Sequence, residues 1–285
     1  MTDKNISIEI ELPSDSCEFI KNVERNIIAV NPYLSHNRFF LYKKKEVPNK
    51  MPIESRESLL FKELSNAPVN GDKFCSNELK KILDMVNERN KIIAESFPYK
   101  KSYGFKPFDK LILGMGGISP YSNILLMKLH HIYGVPYIPA STIKGTLRNC
   151  WIWEKFEGDE KQAENDPEFR EIFGSAAEGM EKTEGKLICF DTFPMKFMLG
   201  LDVQTPHYKA YYEGKTEPTD DQKLYPLFFT CLYDAEFEIN FAFTDKSFGE
   251  KCEEKIDHLV ECMFTDYGIG AKTSLGYGMG EVQKQ

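Results

Sequence analysis

From Phe108 to the C-terminus the chain alternates short apolar runs with two long amphipathic stretches, and that order leaves few folds open. FDKLILGMGG at 108–117 reads as a strand running into a glycine turn. STIKGTLRNCWIWEKF, after Pro139, reads as a helix capped by Ser141 or Thr142, with Ile143, Leu147, Trp151 and Ile152 inward. A weakly patterned acidic stretch at 157–184 follows, then a strand GKLICFDTF from Gly185. PLFFTCLYD and AEFEINFAF read as two strands joined tightly around Asp234. A last helix, over about 246–266, carries Phe248, Cys252, Ile256, Leu259, Val260 and Met263 on one stripe. GIGAKTSLGYGMGEV closes the chain as a glycine-rich loop and a short final strand.

This sequence of elements approximates the split βαβ arrangement of an α+β, ferredoxin-like (RRM-like) core. Two helices would cover one face of an antiparallel sheet and leave the other free, a surface suited to single-stranded RNA. Residues 1–100 are expected to form a mainly helical N-terminal extension to a core spanning 101–285. Ser14 or Asp15 can cap a helix bearing Phe19, Ile20, Val23 and Ile27 at helical spacing. Prolines and Asn70-Gly71 make 43–73 loop-like. Ser76 can cap a second helix striped by Leu79, Ile82, Leu83, Val86 and Ile93 and ended at Pro98. Residues 198–225, polar and rich in proline, read as a projecting thumb-like insertion.

Composition narrows the chemistry. No apolar run approaches the ~18 residues of a membrane span, and the first fifteen residues lack a signal-peptide core, so a cytoplasmic protein is expected. The seven cysteines are scattered, without a C-x-x-C pair or a neighbouring His at zinc spacing; reduced core thiols and no metal or cofactor are expected. A net charge of −8 argues against holding nucleic acid by bulk attraction alone. The average conceals a pattern: Lys101 to Arg148 holds six bases against one acid, and Glu154 to Asp191 twelve acids against five bases. One face meeting a polyanion and another meeting solvent or a basic partner would fit, as would two solvated faces of opposite sign.

Four segments carry candidate chemistry. GMGGIS at 114–119 permits close approach of a ligand backbone, or is a plain turn; it fails the dinucleotide fingerprint because Ser119 stands where the third Gly is needed. IPASTIKGTLR at 138–148 offers a helix N-terminus for phosphate with Lys144 and Arg148 one turn apart, or is an ordinary helix start. Gly145 costs that helix about 1 kcal/mol relative to Ala, so packing or a ligand must require it. GIGAKTSLGYGMG fails as a phosphate loop, since Ala271 precedes Lys272, and suits wrapping and stacking on a nucleic-acid strand. LDVQTPHYKAYY at 201–212 groups Asp202, Thr205, His207, Tyr208 and Lys209, but lacks the second base or nucleophile an acid–base site needs. His130-His131 reads as one buried and one surface ring rather than a ligand pair.

GMGGIS, GVPYIPASTIKGTLR, Phe173-Gly174, GKLICFDTFP, DVQTPHYKAYY and GIGAKTSLGYG occur in this order across residues 103–283. In that order they resemble the RAMP-superfamily CRISPR proteins. The match is most specific to the sixth subunits of Cmr, or type III-B, RNA-targeting complexes. P-x-S-x-x-K-G-x-x-R with the terminal G-x-G-x-K-T-x-x-G-Y-G carries the superfamily likeness, and D-V-x-T-P-H-Y the finer one. Ala140 departs from the glycine usual in the family, though a small residue is kept.

The resemblance implies an RRM-like core that holds guide (CRISPR) RNA near its 3′ end and caps a filament of related subunits in antiviral defence. Guide phosphates would be contacted by Gly114, Gly116, Gly117, Ser119, Ser141, Lys144 and Arg148, and by Gly270, Lys272, Thr273, Ser274, Gly276 and Tyr277 in the C-terminal loop. Asp202, Thr205, His207, Tyr208 and Lys209 would lie on a thumb touching the guide–target duplex or the next subunit. Implied partners are guide and target RNA, the neighbouring backbone RAMP subunit and a small helical subunit, with no membrane. Target-cutting relatives use an Asp after the first strand; GMGGISPYSN offers no acid, so no enzymatic activity is expected. Two other readings are a RAMP endoribonuclease using His207 or His36, and the equivalent terminal subunit of a Csm complex.

Overall fold

The computed structural model describes residues 77–285 except 119–123, 176–181, 206–207, 216, 218 and 220–225, together with 40–41, 57–58 and 68–70. The proposed helix around Phe19–Ile27 and the Ser76 cap lie outside these residues. The chain divides into two compact units, one of residues 1–76, 115–135 and 199–231, the other of 77–114, 136–198 and 232–285.

The second unit is built from helix α1 (Asn77–Glu95), strand β1 (Tyr99–Pro107), helices α2 (Ala140–Phe156), α3 (Glu160–Asn165) and α4 (Pro167–Phe173), strand β2 (Leu187–Cys189), strand β3 (Leu227–Phe243) from Leu232 onward, helix α5 (Lys246–Cys262) and strand β4 (Gly280–Lys284). Its strands lie in the order β4-β1-β3-β2, each neighbouring pair antiparallel. The first strand is therefore YKKSYGFKP and not the 108–117 run. Tyr103 and Phe105 alternate inward with period two, whereas Leu111 makes a single bridge to Leu232.

The two strands expected around Asp234 are one. Phe228–Phe229 pair in parallel with Ile124–Leu125, Leu232 bridges Leu111, and Phe237–Phe243 register with Tyr99–Phe105, so the halves pair with earlier segments instead of with each other. Asp234 absorbs the irregularity at φ 43° and ion-pairs with Lys196 at 2.6 Å.

Phe237, Ile239, Phe241 and Phe243 are fully buried on the face that α5 covers. Phe105 stacks on Phe264 at 4.0 Å and on Phe237 at 6.1 Å, and Tyr103 meets Phe241 edge-on at 5.6 Å. All six residues expected on the last helix's stripe are buried. The α-helix stops at Cys262 and continues as a π-turn, Met263–Tyr267. Asp257 on α5 binds the sheet: it accepts from Lys101 (2.6 Å) and Tyr103 (2.5 Å) on β1 and from Lys284 (2.9 Å) on β4. Burial opposes its charge, but these three donors hold the carboxyl below the usual range.

The second sheet face is not free. Asn240 and Ala242 are buried, and residues of α1 (Asp84, Asn87, Asn90) share a cavity wall with Glu238 and Asn240. Asn90 donates to the Asp191 carbonyl at 2.8 Å. Leu83, Val86 and Ala94 bury α1, while Ile82 and Ile93 of the expected stripe stay exposed. Residues 160–173 of the acidic stretch form two short helices, which its pattern did not imply. Asp159 and Asp166 accept from the Gln162 and Phe169 N–H groups and cap α3 and α4, with Pro167 opening α4.

In the first unit Met115–Ile118 pairs antiparallel with Ile124–Met127, and Ile124–Leu125 runs parallel to Phe228–Phe229. The Met127 N–H donates to Thr230 Oγ1 at 2.8 Å. Residues 198–204, expected in a projecting loop, complete an eleven-residue strand, Pro194–Gln204. Its Leu199 is buried, which local polarity did not reveal. Among the described residues no helix is long and apolar enough to cross a membrane.

Phe241→Ala should cost about 3–5 kcal/mol in urea unfolding, the range for truncating a buried aromatic. Lys246→Ala, at an exposed ion pair, should leave the midpoint unchanged.

Candidate functional site

Helix α2 does not begin as its sequence implied. Pro139, extended at φ −63° and ψ 140°, occupies the cap without a side-chain bond, and Ser141 and Thr142 lie inside the first turn. The Thr142 and Ile143 N–H groups return to the Pro139 carbonyl. The Ala140 N–H donates to Asp191 Oδ1 at 2.7 Å, so a carboxylate already answers part of the positive helix end.

The two bases of the helix are held within the chain. Lys144 Nζ donates to the Leu187 carbonyl at 2.7 Å, which ties α2 to β2. Arg148 bonds Glu160 at 2.8 Å and Glu164 at 3.1 Å on α3, and lies 5.2 Å above the Phe169 ring. Three further bases of the stretch are similarly engaged, while Lys128 is exposed. Lys101 pairs with Asp257 and Glu253, Lys106 reaches Glu236 at 3.9 Å, and Lys110 lies over Tyr233. Its excess charge therefore does not form one open basic face.

An open groove of ≈ 430 Å³ lies instead along the neighbouring flank of α2. One wall is Ser141, Thr142, Gly145, Thr146 and Asn149; the other is Tyr267, Gly268, Gly270 and Thr273. The lining contains hydroxyls, an amide and backbone, with neither a carboxylate nor a cation. A Cβ built on Gly145 would meet nothing within 4 Å, so no packing among the described residues requires this glycine. Its absence of side chain leaves the groove floor clear. Thr146 is spent on the Thr142 carbonyl at 2.9 Å. Burial, then the negative groups around it, push the Tyr267 hydroxyl above its ordinary value, so it is a donor at neutral pH.

The opposite wall is rigid. Ala271 N–H donates to the Ile112 carbonyl and Gly278 N–H to that of Lys110, each at 2.8 Å, and Ile269 N–H to Gly278 at 3.0 Å. Gly270 (φ 100°) and Gly278 (φ 73°) have positive φ, and a Cβ there would lie 2.2 Å and 1.9 Å from backbone carbonyl oxygens. These glycines serve the chain's own backbone contacts and not a flexible wrap around a ligand. Gly276 and Tyr277 line a second, smaller hollow of ≈ 210 Å³ with Asp109, Lys110 and the exposed Leu275.

Of the residues singled out from sequence, the fold brings Ser141, Gly270 and Thr273 together in the groove, and Gly276 and Tyr277 in the hollow. Lys272 is half-buried at φ 60°, and Ser274 is exposed on the loop. Gly114, at φ 69°, belongs to the second unit; Gly116 and Gly117 lie in a strand of the first. Ser119 and His207 are outside the described residues, as is His36. Asp202 lies within the strand Pro194–Gln204 and accepts from the Val203 N–H at 2.8 Å; Thr205 and Tyr208 are half-buried, and Lys209 opens a helical turn, Lys209–Tyr212. His130 stacks between His131 at 4.9 Å and Tyr133 at 4.7 Å. Asn149, Tyr267 and Gly268 were missed. The signal was the i, i+4, i+8 row of Ser141, Gly145 and Asn149, three small or polar residues on one helix flank.

The RAMP superfamily model matches residues 110–279. A Cmr subunit named Cmr6 from Pyrococcus furiosus is 27% identical over 82% of this chain and 78% of its own length. A Cmr6 from Saccharolobus solfataricus is 26% identical over 94% of this chain and 85% of its own. A chain in a solved type III-B Cmr-beta complex bound to cognate target RNA superposes with a TM-score of 0.55 at 20% identity, over 75% of this chain and 68% of that one. At that identity the superposition speaks for the fold alone.

Gly145→Ala should raise thermal stability, by up to about 1 kcal/mol, because the added methyl enters open space and improves helix propensity. Gly278→Ala should lower it by more than about 1 kcal/mol, since the positive φ and the Ile269 carbonyl both oppose a Cβ. Thermal unfolding of the two variants checks both signs.

Proposed function

The chain belongs to the RAMP superfamily, and from that premise we propose that it is a non-catalytic, guide-RNA-binding subunit of a type III-B (Cmr) CRISPR ribonucleoprotein. The names of the two curated relatives support the assignment to a Cmr complex over a Csm one. The antiparallel order β4-β1-β3-β2, with α2 after β1 and α5 after β3, supports a ferredoxin-like core. In this reading the chain caps the filament of backbone subunits near the guide 3′ end. Other Cmr subunits and target RNA complete its surroundings.

The observation that carries the reading is the groove floored by Gly145. A helix gives up about 1 kcal/mol for a glycine that no packing among the described residues demands. The two walls offer uncharged hydroxyl, amide and backbone groups, the kinds of donor from which the oxygens of a sugar–phosphate strand accept. Lys144 and Arg148 act here as positioning residues, fixing α2 against β2 and α3. Exposed Tyr211 and Tyr212 (47% and 73%) beyond the strand Pro194–Gln204 suit stacking on a duplex end or packing on a neighbouring subunit. Catalysis is not assigned to any residue, since the segment 114–123 carries no acid and the groove lining no carboxylate, histidine or cysteine.

Gly145→Leu would fill the groove without touching the core. In a complex purified with its partner subunits and guide RNA, this variant should retain at least about tenfold less guide, a loss of roughly 1.4 kcal/mol, while Gly145→Ala keeps most of it. Guide retention unchanged in a folded Gly145→Leu variant would remove the assignment. Cleavage of repeat or target RNA by the purified chain would overturn the non-catalytic part.

A further inference from the structure

Helices α2 and α5 pack together, and at their crossing Glu154, His258 and Cys262 converge. His258 and Cys262 stand four apart, one turn along the same face of α5. Glu154, 104 residues earlier, comes from α2. The sequence shows no metal motif because its third member is so remote. His258 Nε2 lies 3.0 Å from Glu154 Oε2 and 3.6 Å from Cys262 Sγ, and the three donor atoms fall within 4.8 Å of one another. Zinc bonds of about 2.0–2.3 Å at tetrahedral angles place donor atoms roughly 3–4 Å apart, so little movement separates this arrangement from a coordination sphere.

We propose that Glu154, His258 and Cys262 form a zinc site that fastens α2 to α5, with His258 Nε2, Cys262 Sγ and a Glu154 carboxylate oxygen as ligands and water in the fourth position. The donor set selects the metal: a thiolate with an imidazole and a carboxylate favours Zn²⁺ over Mg²⁺ or Ca²⁺, which take oxygen alone. Exposure fits entry of the ion. The His258 and Glu154 side chains are 61% and 36% exposed, while Cys262 is buried at the floor. The surroundings are negative. Burial first, then the carboxylates of Glu154 and Asp266, push the Cys262 thiol up to about 11, and the same field is one that a divalent cation neutralises. The buried Cys150, on α2, senses both Cys262 and Glu154 from beneath.

The site stands apart from the groove but shares its supports. Glu154 lies five residues beyond Asn149 on one wall, and Cys262 five residues before Tyr267 on the other. Bound zinc would fix the two walls relative to each other whatever strand lies between them.

The test uses the full chain, freed of metal by a chelator and titrated with Zn²⁺ or Co²⁺ alone. One equivalent should bind and raise the melting temperature, and Co²⁺ should produce a thiolate-to-metal charge-transfer band. Glu154→Gln and His258→Ala, both at exposed positions that folding tolerates, should each weaken Zn²⁺ at least about tenfold. Cys262→Ser should remove the charge-transfer band. Zinc affinity unchanged in the two exposed-site variants would overturn the site, as would Co²⁺ binding without a thiolate band. Neither result bears on whether Gly145→Leu releases guide RNA, so the two readings fail separately.

Discussion

The C-terminal loop lies with its backbone directly on the backbone of residues 107–112. Ala271 and Gly278 donate to Ile112 and Lys110, Phe108 donates to Met279, and at Gly270, Gly278 and Gly280 a methyl group would penetrate a carbonyl. This close approach fixes three things together. It delivers β4 into register beside β1, with Gly280 opposite Pro107. It places the π-turn after α5 where Phe264 stacks on Phe105. And it holds Gly268 and Thr273 as one wall facing α2. Sheet edge, aromatic core and groove are thus consequences of one steric condition, that the loop carry no side chain where two strands of backbone meet.

How far the chain could be read in advance depended on how local each signal was. The stripes of α2 and α5 report burial on a helix face directly, and every residue assigned inward on them is buried. Asp234 misled because a turn-favouring residue says nothing about which strand lies alongside; pairing with Tyr99–Phe105 and Leu111 is a long-range fact. The strand Tyr99–Pro107 was hidden by its three lysines: Lys100 and Lys106 point outward, but Lys101 shares the face of Tyr103 and Phe105, where Asp257 pairs it. The Asp caps of α3 and α4 were legible, and were overlooked beneath a strong net charge.

The candidate site was half legible for a similar reason. Ser141, Gly270 and Thr273 were identified from motifs, and they converge. Lys144 and Arg148 were assigned to phosphate because charge four apart on a helix looks like an anion site. Their partners, the Leu187 carbonyl and the acids of α3, lie 12 to 43 residues away and only the fold reveals them. The acidic segment pairs partly within itself, Asp166 with Lys155 and Glu171 with Lys186, and reaches the basic segment at Arg148 through Glu160 and Glu164. The alternation of charge along the sequence is largely a record of internal pairing.

The uncharged lining of the groove has a thermodynamic consequence. A strand bound through Lys and Arg liberates condensed counterions, and its affinity falls steeply with ionic strength, with a slope of about −0.7 per phosphate neutralised on single strands. A strand held by Ser141, Asn149, Thr273 and backbone amides would liberate few. Its grip would come from short-range, directional bonds that form only after the strand is correctly seated. Such a surface contributes little to capture from dilute solution and much to register once neighbouring subunits have brought the strand in. An acidic protein can therefore hold a polyanion at one place without attracting polyanions in general.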